Sequence, residues 1–205
     1  MFRFSQTSSD SEQCTTVPDV VDESSTRART RRAILDAGVR VLSRHVGASL
    51  AEVATAAGVG RTTMHRYFPE RADLLAGISV DLLEQIDAAT VRARPDEGPA
   101  VAALERVCQS YFALQDGLRL MLNEPQLFAS PHWEEVTDAD RALLRIVERG
   151  QAAGTMDPDL TPAWVLSMLW SLLHGAWLHV DLDDVPEHDA LALCLRTLRK
   201  AVAAP

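Results

Sequence analysis

Residues 48–75 read ASLAEVATAAGVGRTTMHRYFPERADLL, and this stretch constrains the fold more than any other part of the chain. Ser49 stands just before an apolar run with Glu52 three residues on, so the two side chains can cap each other's orphan amides at a helix start. Leu50, Val53, Ala54 and Ala57 then recur at helical spacing, and Gly58 supplies the left-handed residue at which such a helix stops. Val59 fills the turn. A second helix is predicted from about Gly60 to Tyr67, anchored by Met64 and Phe68 and ended by Pro69. Its other side chains are polar or basic. Two helices this short bury too little by themselves, so a third must supply the floor of a small core. Residues 27–45 offer it: Ile34, Leu35, Ala37, Gly38, Val41 and Leu42 form a stripe, with Arg29, Arg32, Arg40 and Arg44 largely outside it. The pattern predicts a three-helix DNA-reading module.

The net charge of −9 argues against a nucleic-acid binder only as a total. Residues 1–26 carry one Arg against five acids, net −4; residues 27–71 carry nine Arg against three acids, net +6; residues 72–205 carry ten basic against twenty-one acidic side chains, net −11. A basic module on an acidic body suits phosphate binding with little non-specific adhesion.

The pattern divides the chain into a disordered tail (1–26), a helix-turn-helix domain (27–70) and a larger helical domain (71–205). The tail is rich in Ser, Thr and acids and has little apolar surface to repay ordering. Arg27, Arg29, Arg31 and Arg32 open the first helix, where a cation is disfavoured unless something compensates; a DNA phosphate is one such compensation, and a solvated face is the other reading. Beyond Pro69, helices are predicted over 71–93, 100–115 and 117–123. Another is opened by Ser130 and Pro131 and ends at Gly150 to Gly154, and a further one is opened by Thr161 and Pro162 and runs to about Val180. The last spans 187–203. The Thr161 helix is apolar on nearly all sides and must be covered twice, once by its own core and once by a second copy. No strand pattern appears, so the fold class is all-α.

The run ILDAGVRVLSRHVGASLAEVATAAGVGRTTMHRYFPERADLL, residues 34–75, resembles the DNA-binding domain of the TetR family of bacterial transcriptional regulators. The resemblance rests on the Arg-rich first helix, Gly47, Val53-Ala54, Ala57-Gly58-Val59, Thr63, Tyr67-Phe68 and Asp73-Leu74-Leu75. Where the family usually carries Tyr this chain has His65, and where it usually carries a small residue it has Thr62. The resemblance implies a homodimer on a palindromic double-stranded operator. It assigns DNA contact to Arg27, Arg29, Ser49, Arg61, Thr62, Thr63, His65, Arg66, Tyr67 and Arg71, the last gripping phosphate from the start of the fourth helix. It further implies a body that binds a small hydrophobic or amphipathic effector and swings that fourth helix to release DNA. Leu82, Ile86, Cys108, Tyr111, Phe112 and Met121, with Trp133, Trp164, Met168, Trp170 and His174, are the candidate lining. Leu173, Trp177, Leu191, Leu195 and Leu198 are the candidate dimer seam.

The six histidines fall in no metal-binding spacing, and no nucleophile elbow or glycine-rich phosphate loop is present, so neither an enzyme nor a cofactor or metal is expected. Cys14, Cys108 and Cys194 are odd in number and far apart, which argues against a disulfide framework and fits a reducing cytosol; plain packing and a redox-sensing thiol are the two readings of each. No apolar run is expected to cross a bilayer, the nearest (164–178) being interrupted by Ser167, Ser171 and His174, and no basic-then-apolar leader opens the chain. The expected location is the cytoplasm. An activator, a regulator without a small ligand, and a helical carrier or enzyme without DNA binding are the alternatives to a ligand-released repressor.

Overall fold

The computed structural model describes residues 23–129, 133 and 136–205; the expected tail at 1–22 and the Ser130-Pro131 helix start lie outside them. Nine α-helices and one 3-10 turn make up the described residues, joined by a single isolated bridge between Met156 and Ala203. The helices are α1 Glu23–Leu42, α2 Leu50–Ala56, α3 Arg61–Tyr67, α4 Arg71–Arg92, α5 Ala100–Phe112, α6 Gln115–Asn123, α7 Asp138–Ala152, α8 Pro162–Asp183 and α9 Glu187–Val202.

The local signals act as their chemistry dictates. The Ser49 hydroxyl accepts from the Glu52 amide at 3.3 Å, and the Glu52 carboxylate accepts from the Ser49 amide and hydroxyl, each at 2.8 Å. Gly58 has φ +69°, and the Val59 amide beyond it donates back to the Ala54 carbonyl. Thr161 caps α8 with Pro162 in its first turn. Three boundaries differ from expectation. Residues 23–26, assigned to the tail, are the first turn of α1, because nothing in that segment opposes helix once it continues into an apolar stripe. The helix predicted over 100–115 breaks at Ala113 and Leu114, and α6 starts at Gln115. The helix before Gly150 starts at Asp138, where Thr137 and Asp140 form a reciprocal cap.

α1, α2 and α3 close around Ile34, Leu35, Leu42, Val53, Met64 and Phe68, and α4 forms the wall that joins them to the body. Gly77 makes that wall possible: a Cβ there would stand 2.8 Å from the Phe68 ring and 3.2 Å from Leu35. The expected border at residue 70 is a change of role along one continuous core, since the buried cluster runs from Ile34 to Val202. In the body α5 lies central against α4, α7 and α9, and α8 packs chiefly on α9.

α8 corrects a second reading. Its 22 residues contain an 18-residue window of mean hydropathy 1.2, long and apolar enough by length and composition to cross a bilayer, yet only 28% of that window is buried within the protomer. The outward stripe of α8 carries Trp164, Ser167, Ser171, Gly175, Leu178 and Leu182 at three- and four-residue steps.

Candidate DNA-reading face and effector region

Met64 and Phe68 are buried, which turns the opposite face of α3 outward: Arg61, Thr62, His65 and Arg66 are exposed, and Thr63 and Tyr67 are half-buried. The Tyr67 hydroxyl donates to the Arg27 carbonyl at 3.3 Å, pinning the start of α1, where Arg27 and Arg29 are exposed, beside α3. The Arg66 guanidinium lies 5.6 Å from the Tyr67 ring centroid and Arg31 lies 5.8 Å from that of Phe68. His65 Nδ1 is 3.1 Å from the Pro69 carbonyl; the tautomer that donates there leaves Nε2 outward as an acceptor.

Two of the expected contacts are committed elsewhere. Ser49 is exposed, but its hydroxyl and amide are both engaged with Glu52, whose carboxyl those two bonds hold below the usual carboxylate range. Arg71 is turned inward. Its guanidinium donates to the Ala48 carbonyl at 2.8 Å, to the Val46 carbonyl, and to the Glu124 carboxylate at 3.2 Å. It is therefore not a free phosphate ligand, because three acceptors already use it. Its role is to tie the α1–α2 loop, the start of α4 and the end of α6 together around the buried Glu124. Arg32 is exposed but likewise engaged within the chain, bonded to Asp81 at 2.7 Å and Asp36 at 2.9 Å.

In the body the candidate lining residues fall into five groups. Leu82, Ile86, Cys108, Tyr111, Phe112 and Met121 are all buried within the hydrophobic core. Half-buried Trp170 of α8 stacks on Tyr111 with centroids 5.1 Å apart and planes 10° off parallel, and half-buried Met168 sits two residues nearer the start of α8. Trp133 donates to the Ser79 hydroxyl at 2.8 Å. The Tyr111 hydroxyl pairs with Thr90 Oγ1 at 2.6 Å, and burial pushes its pKa up to about 12. Thr90 also lines an open cleft of about 420 Å³ between the end of α4 and the start of α7. That cleft carries Asp87, Asp96, Glu97 and Asp138 against Arg94 and Arg145, so Tyr111 sits one hydrogen bond behind an acid-rich entrance. His174 lies apart, in a polar cleft of about 440 Å³ with Arg44, Arg119 and Trp177. Trp164 is 61% exposed and stands on the outer stripe of α8.

The expected seam residues also divide. Leu173, Trp177 and Leu198 are buried within the protomer, where Trp177 meets Phe112 with centroids 6.2 Å apart, so they cannot face a partner. Leu191 and Leu195 are half-buried on α9. On α8 and α9 the large apolar side chains left outside are Trp164, Leu178, Leu182 and Leu193. For the three on α8 the signal was in the sequence as a three- and four-residue stripe, hidden by the apolar residues on the helix's other faces. Glu124 had no such local signal, since its partner is 53 residues away.

The family model described as bacterial regulatory proteins, tetR family, matches residues 34–78. The HTH-type transcriptional repressor LfrR of Mycolicibacterium smegmatis is 37% identical over 181 residues, 88% of this chain and 94% of that protein. The crystal structure of LfrR in complex with proflavine superposes with a TM-score of 0.71 at 34% identity, covering 86% of this chain and 99% of that one; another LfrR crystal structure gives 0.62, over 87% and 99%. The ketosteroid transcriptional regulator KstR2 of Mycobacterium tuberculosis, at 12% identity, shares the fold with a TM-score of 0.64 over 85% of this chain and 98% of that one.

Proposed function

This chain belongs to the TetR family of bacterial regulatory proteins and is a DNA-binding transcriptional regulator, and from that premise we propose that it is a homodimeric repressor which a planar, cationic or amphipathic molecule releases from a palindromic operator. The observation that carries the reading is the outward face of α3: four exposed polar side chains on a helix whose apolar side is locked, in the one basic segment of an acidic chain. Arg61 and Thr62 are assigned to base edges, with Tyr67 at their flank. Thr63, His65 and Arg66 are assigned to phosphates, and Arg27 and Arg29 to the neighbouring backbone.

Dimerisation is supported by α8, whose apolar outward stripe needs a cover and which packs chiefly on α9. A two-fold pair places two α3 helices in successive major grooves, which one helix of seven residues needs for useful affinity. The homodimer is thereby assigned to the surface of Trp164, Leu178, Leu182 and Leu193, flanked by Leu191 and Leu195.

The effector is assigned to the Tyr111–Trp170 stack. LfrR is a repressor crystallised with proflavine, a planar aromatic cation. In this chain two parallel rings, with the carboxylates of Asp87 and Asp140 near Tyr111, suit a molecule of the same kind entering through the acid-rich cleft. Such a ligand weakens DNA binding by preferring the body geometry in which the two α3 helices mismatch the operator. Titrating proflavine into the protein–operator complex tests this. Release is expected in the wild type, with Asp87→Asn needing about tenfold more ligand, a difference of roughly 1.4 kcal/mol. Equal release by an uncharged planar analogue would remove the charge argument, and no release at saturation would remove the site.

A further inference from the structure

Cys108 on α5 and Cys194 on α9 are 86 residues apart in the chain and 3.7 Å apart at sulfur. Both are free thiols buried in the seam between the two helices. They are not equally enclosed. Cys108 is 0% exposed, whereas Cys194 is 4% exposed and lines a groove of about 340 Å³ between α8 and α9, beside Gly175, Ala190, Leu193 and Thr197.

We propose that Cys108 and Cys194 form a hydroperoxide-responsive dithiol, in which a peroxide entering the α8–α9 groove oxidises Cys194 and Cys108 closes it into a disulfide stapling α5 to α9. In the first step the Cys194 thiolate attacks one peroxide oxygen and the O–O bond breaks. Cys194 becomes a sulfenic acid, and the departing oxygen takes up a proton and leaves as an alcohol, or as water when the oxidant is hydrogen peroxide. The Cys108 sulfur then attacks the Cys194 sulfur: the S–S bond forms, the S–O bond breaks, and the hydroxide leaves as water with the Cys108 proton. Two thiols and one hydroperoxide give one disulfide, one alcohol and one water; the thiols lose two electrons and the peroxide gains them. Closing from 3.7 Å to a bond of about 2.05 Å is a side-chain movement within one contact.

The division of labour follows from position. The Cys108 thiol donates toward the Cys194 sulfur, and that bond, with burial, holds Cys108 protonated well above the ordinary thiol range. The same bond lowers Cys194, which is also the sulfur next to the groove. The groove opens on the surface assigned to the subunit seam, so peroxide enters while the protomer is dissociated. Because α5 carries Tyr111 and Phe112, a staple to α9 restrains the region where the effector is assigned. The oxidised regulator therefore holds DNA and responds less to its ligand. This consequence rests on the function proposed above, whereas the thiol chemistry does not.

The test uses the full chain with Cys14→Ser, which leaves Cys108 and Cys194 as its only thiols. Protein is treated with hydrogen peroxide, quenched, denatured, alkylated and weighed intact, in the parent and in the seam variant Leu182→Glu. A mass lower by two hydrogens, with no alkylation until a reductant is added, is expected in one or both. Two alkylated thiols in both proteins overturn the proposal. In Cys108→Ser a sulfenic acid trapped by a carbon acid is expected at Cys194, and trapping at Cys108 in Cys194→Ser instead would reverse the assignment and overturn it. Oxidised protein should need about tenfold more proflavine to leave its operator; unchanged release overturns the regulatory half. Reduced protein that never binds DNA would instead count against the regulator reading, with the mass result standing on its own.

Discussion

Arg61 and Arg66 sit on the same short helix and are assigned different work. Arg61 is at the start of α3, where a side chain can reach base edges, while Arg66 is at its end, held against the Tyr67 ring. Arg66→Ala should weaken binding to specific and random DNA alike and lower the salt slope by about one, whereas Arg61→Ala should cost about 1–3 kcal/mol on the preferred site and relax base choice there. Fluorescence anisotropy titrations against both DNAs over a salt series would read this, and equal losses for the two variants would contradict it. At this scale the sequence was legible wherever the chemistry is local. Ser49, Glu52 and Gly58 act within a few residues of themselves, so spacing alone identified them. Arg71 was misread for the opposite reason: a basic residue at a helix start looks free for phosphate until the fold delivers the Val46, Ala48 and Glu124 oxygens.

At the level of elements, α8 and α4 carry most of the architecture. α8 reads as apolar all round, which announced that two surfaces must be covered without revealing which residue faces which. Leu173 and Trp177 went to the protomer core, and Leu178 and Leu182 were left outside. Rotation about a helix axis is set by the neighbours a face meets, and a helix without a polar face carries little record of it. The α7 start, by contrast, was recoverable, because Thr137 followed by Asp140 is a local cap signal. If the outward stripe is the seam, Leu182→Glu puts a charge into an apolar interface at a residue 76% exposed in the protomer. The variant should keep its helical circular dichroism, sediment as a monomer at micromolar concentration and bind operator at least about a hundredfold more weakly, a loss of some 2.7 kcal/mol. A dimer of unchanged stability would move the seam elsewhere.

Across the whole molecule, polar junctions tie the body to the helix-turn-helix, Arg32 with Asp81 at one and Arg71 with Glu124 at another. Glu124, at the end of α6, holds Arg71 at the start of α4, and Arg71 holds the loop before α2. A shift of α6 or α4 is expected to reach the helix-turn-helix through the Arg71 junction, and Gly77 against Phe68 keeps the two halves in close contact. Glu124→Gln retains a polar side chain and removes the charge. It should leave operator affinity within about threefold while reducing the ligand-driven loss of affinity, a coupling typically worth about 1–3 kcal/mol, by half or more. Calorimetric titration of proflavine with and without DNA would measure that coupling, and an unchanged coupling would exclude the junction from the path.

The central claim, that paired α3 helices read a symmetric operator and a ligand in the body separates them, is tested most directly by selecting bound sequences from random DNA with and without proflavine. The account predicts enrichment of a two-fold symmetric site whose half-sites lie about 10 base pairs apart or at a multiple of that, lost when the ligand is present. Enrichment of a single unpaired half-site, or a symmetric site equally enriched with ligand at saturation, would contradict it.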